Sequence, residues 1–65
     1  MSAHPPVDPE QDLQRLRHDL ANPLSALLAE VQLLLLDANR LTPEVVTALR
    51  GIEAMAVRMR TILRS

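Results

Sequence analysis

The sequence predicts an all-α protein, an antiparallel helical hairpin that dimerises into a four-helix bundle. Three observations predict it. Apolar residues recur at intervals of three and four over two long stretches. Each stretch opens on a capping residue followed by proline, and no segment alternates like a strand. Both apolar stripes are wider than the two-in-seven seam of a simple helix pair, so each helix needs two neighbours, which a two-fold pairing of hairpins supplies.

Residues 1–8 contain His4, Pro5 and Pro6 and are expected to form an extended arm that ends on Asp8 as helix cap. Pro9 then takes the first helical position, with Gln11 placed to close a capping box. The first helix is predicted over 9–38. Its stripe is Leu13, Leu16, Leu20, Leu24, Leu27, Leu28, Val31, Leu34, Leu35 and Ala38. Pro23 interrupts this run without breaking its period, which predicts a kink and not an end, at a cost of roughly 3 kcal/mol.

The segment DANRL breaks the pattern and predicts a loop over 38–42. Thr42, Pro43 and Glu44 repeat the start signature, and a second helix is predicted over 43–64. Its stripe is Val45, Leu49, Ile52, Ala56, Met59 and Leu63, flanked by Ala48, Met55 and Ile62. Met55 and Met59 read as packing residues, and Gly51 reads as a small residue where helices approach closely. Arg58, Arg60 and Arg64 favour the negative end of the helix dipole.

Composition narrows the function. The chain has 65 residues, no cysteine and no aromatic residue, and a formal net charge of -1. Disulfides and thiolate metal sites are excluded, and His4 and His18 do not have the spacing of a local metal motif. Without stacking rings or a basic block, nucleic acid is not an expected partner. The longest apolar stretch, LSALLAEVQLLLL, carries Glu30 and Gln32 and is far short of the roughly 20 residues that span a bilayer, so no membrane contact is expected. The N-terminal residues lack the pattern of a secretory signal, and a cytoplasmic location is the expectation. A chain this small buries little surface, which again favours a homodimer.

The chemistry concentrates around His18. On an ideal helix its side chain lies about 150° from the stripe centre near Leu13, Leu20 and Val31, facing water. Asn22 follows one turn later, and Ser25, Ala29, Leu33 and Leu36 continue the outer strip as a candidate partner-binding surface, although the breadth of bundle stripes favours cover of Leu33 and Leu36 by a neighbouring helix. A neutral imidazole is a nucleophile, and Asp19 is the candidate carboxylate to hold the proton of one ring nitrogen while the other attacks. Adjacent helical residues do not face each other squarely, whereas Asn22 stands in the i, i+4 relation to His18.

His18 to Leu24, HDLANPL, resembles the H box of sensor histidine kinases: histidine, acid, leucine, a variable residue, threonine or asparagine, proline, leucine. With Arg58, Met59, Ile62 and Leu63, the similarity to the dimerisation and histidine phosphotransfer domain covers about residues 10–64. The resemblance implies that His18 is the phosphoacceptor and Asp19 the general base. It implies that Asn22 orients the water of a phosphatase reaction and that Pro23 is a hinge. Phosphate would come from ATP and Mg held by a separate histidine kinase ATP-binding domain, and pass to an aspartate in a response regulator receiver domain. Ala21 departs from the arginine common at its position. With one glycine and no strand, these residues hold no ATP-binding domain, so the chain would be a substrate and relay. The rival expectation is a non-catalytic helical dimerisation module with a degenerate H box.

Overall fold

A computed structural model describes residues 8–64. The expected arm over 1–7, with His4, lies outside them. Helix α1 runs Pro9–Leu35 and helix α2 runs Pro43–Arg64, joined by a connection whose middle, Ala38–Arg40, forms a short 3-10 turn. The described residues are helical apart from caps and this connection, and the two helices pack against each other as an antiparallel hairpin.

Both helix starts follow from local chemistry. The first N–H groups of a helix have no intrahelical acceptor, and an oxygen on the capping side chain supplies one. Asp8 Oδ1 accepts from the Glu10 and Gln11 N–H groups at 3.1 and 3.3 Å, with Pro9 at the first helical position. Thr42 Oγ1 accepts from Val45 N–H at 3.3 Å, ahead of Pro43. Asp8 caps alone: no reciprocal bond from the Gln11 side chain closes the predicted box among the described residues.

The end of α1 differs from the prediction. The helix stops at Leu35, three residues before Ala38, and the connection is correspondingly longer at its start. The Leu36 N–H is shared between the Gln32 and Leu33 carbonyls at 3.2 Å each, and Asp37 N–H donates to Leu34 at 3.2 Å. The ladder thus tightens to i→i−3 spacing, which satisfies the last carbonyls of α1. Arg40 N–H to Asp37 O, at 2.9 Å, and Leu41 N–H to Ala38 O, at 3.1 Å, continue the tight turn. Ala38 therefore leaves the α1 stripe and sits half-buried in the connection.

The core is small. Leu24, Leu28 and Val31 on α1 and Ala56 on α2 are buried, and Leu63 packs against the Leu24, Leu28 and Ala56 cluster. Ala56, 2% exposed, has no side chain beyond its methyl, so the leucines of α1 close directly over α2. Deeper in the hairpin, Gln32 Nε2 donates to Glu53 Oε2 at 3.4 Å and ties the helices across their polar edge.

The predicted stripe centre at Leu13, Leu20 and Val31 is only partly the buried seam, because Leu13 and Leu20 are each 47% exposed. They lie within about 40° of the Leu24–Leu28–Val31 line on an ideal helix. Leu13 is exposed by its axial position, whereas Leu20 stands at the edge of the seam, beside Ile62 and Leu63 of α2. Leu63 near the end of α2 meets the level of Leu24, so the first turns of α1 reach past the described end of α2. Met55 and Met59, expected to pack, are 61% and 53% exposed in the protomer. Gly51 does not mark a close approach either: a Cβ built there meets nothing within 4 Å.

Two substitutions test this core. Leu28→Ala removes a side chain that is 3% exposed and is expected to lower stability by about 2–4 kcal/mol. Gly51→Ala fills open space in a helix interior and is expected to raise it by about 0.5–1 kcal/mol. Urea unfolding followed by circular dichroism measures both.

Candidate functional site

The buried seam sets the direction of every other face on α1. Relative to Leu24, Leu28 and Val31, an ideal helix places His18 about 110° to one side, with Ser25, Asn22, Ala29 and Leu36 in the same broad sector and Leu33 beside it. The angle is smaller than the 150° expected from the stripe alone, because the true seam is rotated from the stripe's mean. His18 remains exposed, with a side-chain accessibility of 74%.

Asp19, the next residue on α1, reaches the ring although adjacent helical residues do not face each other squarely. Its Oδ1 stands 3.8 Å from His18 Nδ1, and its side chain is 67% accessible. That distance exceeds the roughly 2.7–3.2 Å of an N–H···O bond, so the contact is electrostatic and leaves both groups in water. The carboxylate stands on the Nδ1 side of the ring. A ring that keeps its proton on Nδ1 presents the Nε2 lone pair.

Asn22 and Pro23 are exposed one turn further on, and α1 runs unbroken through Pro23. Proline has no N–H, so the Asp19 carbonyl loses its i+4 donor immediately beside the imidazole. The structure thus brings His18, Asp19, Asn22 and Pro23 onto two adjacent turns of one helix. Ser25, Ala29, Leu33 and Leu36 follow as exposed residues, with Leu33 at 60% and Leu36 at 80% exposure. In the protomer α2 covers neither leucine. Among the described residues no group of three or more histidines and carboxylates is placed to hold a metal.

Sequence reasoning missed a second feature. On an ideal helix, Leu16, Leu20, Leu27 and Leu34 lie about 40–80° from the seam, on the side opposite His18. Ile52, Met59, Met55 and Ile62 occupy the matching flank of α2. The two flanks merge into one face, because Leu20 and Leu24 of α1 and Met59, Ile62 and Leu63 of α2 line a shared shallow groove of about 200 Å³. From Leu13 to Leu34 this sector of α1 holds only apolar residues, Pro23 among them. The signal was present as stripe width, but assigning residues to one face required the position of α2. No described helix is long and apolar enough to cross a membrane.

Leu36→Glu is expected to change the unfolding free energy of the protomer by no more than about 0.5 kcal/mol, since a side chain 80% exposed has little burial to lose. Pro23→Ala is expected to raise it by up to about 3 kcal/mol by restoring a helix hydrogen bond. Thermal unfolding of both variants beside the parent chain checks these values. The chain matches no protein-family model, no curated protein and no solved structure, so its reading rests on the geometry and chemistry of its own residues.

Proposed function

We propose that the chain is the phosphoacceptor and dimerisation module of a two-component histidine kinase. The observation that carries this reading is the exposed His18 ring with Asp19 on its Nδ1 side, followed in register by Asn22 and Pro23. Asp19 acts as the general base that holds the Nδ1 proton, and His18 Nε2 attacks the γ-phosphorus of ATP presented, with Mg, by a separate ATP-binding domain. The bond from that phosphorus to the bridging oxygen breaks and ADP leaves. An aspartate of a response regulator receiver domain then takes the phosphoryl group as the N–P bond breaks. Asn22 orients the water that hydrolyses the regulator's aspartyl phosphate and releases inorganic phosphate, and Pro23 is the hinge of α1.

The homodimer belongs to the same reading. A hairpin with four buried hydrophobic residues leaves a broad apolar face whose central residues, Leu20, Leu27, Ile52 and Met59, carry no charge, and depletion of charge is the compositional mark of an interface core. Two such faces packed about a two-fold axis make a four-helix bundle, with both His18 side chains outward. Ser25, Ala29, Leu33 and Leu36, below the imidazole, form the surface that meets the receiver domain. The module works in the cytoplasm, where ATP is available.

Incubation with a histidine kinase ATP-binding domain and labelled ATP is expected to give an acid-labile, base-stable phosphoryl adduct. His18→Gln abolishes it, and Asp19→Asn slows its formation by about 10²–10⁴-fold if general-base catalysis is lost. Absence of label with a competent donor, in a chain that still dimerises, would leave the non-catalytic dimerisation module as the correct reading.

A further inference from the structure

Met55 and Met59 stand one turn apart on α2, 61% and 53% exposed, and Met59 lines the apolar groove with Leu20, Leu24, Ile62 and Leu63. The chain has no cysteine, tryptophan or tyrosine, and its third methionine, Met1, lies outside the described residues. Its readily oxidised side chains within the hairpin are therefore two thioethers, Met59 in the groove and Met55 one turn before it on the same helix.

We propose that Met55 and Met59 are a modification site at which a hydroperoxide converts thioether to sulfoxide and separates the paired hairpins. The inference rests on the reading of that face as the contact between two copies. In the step, a thioether sulfur lone pair attacks the distal peroxide oxygen, an S–O bond forms and the O–O bond breaks. Sulfur is oxidised by two electrons, the peroxide is reduced, and the displaced oxygen leaves as water or an alcohol after proton transfer.

The consequence follows from polarity. A sulfoxide oxygen is a strong hydrogen-bond acceptor, and burying it without a donor is costly. The groove offers it only leucine, isoleucine and methionine side chains. In the separated protomer water solvates the new oxygen. The paired form shields both sulfurs, so oxidation samples the dissociated protomer and then opposes its return. The modification is reversible, because sulfoxide reductases restore the thioether.

Light scattering over a dilution series, before and after hydrogen peroxide treatment, reads the assembly, and peptide mass spectrometry locates the added oxygen. The expected result is a dimer whose dissociation constant rises at least tenfold once Met55 and Met59 carry sulfoxide, and which a sulfoxide reductase restores. A Met55→Leu, Met59→Leu double variant is expected to remain dimeric through the same treatment. A chain that is monomeric before oxidation overturns both the pairing and the switch. A dimer that persists with both sulfoxides in place, or a double variant that dissociates equally, overturns the switch alone.

Discussion

The closure of Leu24 and Leu28 over Ala56 is the contact on which the remaining architecture depends. A methyl group at that position lets two leucines of α1 reach the surface of α2 without displacing it, and any longer side chain there would push the helices apart or force strained rotamers. Because few side chains are buried, this one contact fixes both the rotation of α1 about its axis and the axial register of the pair. The Gln32–Glu53 bond holds that register from the other edge.

Rotation and register then decide the chemistry of each face. With the Leu24–Leu28–Val31 line turned toward α2, the leucines and methionines left over collect on one broad side and His18 falls on the other. The register leaves the turn that carries His18 near the described end of α2, where α2 offers little cover. Exposure of the imidazole is therefore a result of packing several residues away. The carboxylate of Asp19 needs no such help, since its distance from Nδ1 is set by two adjacent residues on one helix.

Pro23 shows how local cost and global pattern are balanced. It removes a hydrogen bond in the middle of a helix of 27 residues, yet the helix does not end there. The buried leucines at 24 and 28 immediately follow the lesion and anchor the chain on α2, so tertiary contact carries the helix past the point at which its own hydrogen bonds are weakest. The turn beside Pro23 thus combines a position fixed by tertiary contact with a missing backbone bond.

Helix starts, the continuous run through Pro23 and the two-helix architecture were legible in the sequence because each depends on neighbours within a few residues. Asp8 and Thr42 cap through side chains that reach the next turn, and the period of three and four declares itself without a partner. The end of α1 was less legible, since Leu35 and Ala38 both continue the apolar period while the backbone bonds between them tighten into a 3-10 turn. The separation of the apolar residues into a buried seam and an exposed face was not legible at all. Leu13, Leu20, Met55 and Met59 have the same residue chemistry as Leu24 and Leu28, and only the place where α2 lies decides which of them loses water. A stripe wider than one contact admits several rotations, and the choice among them is a non-local packing energy that no local pattern encodes.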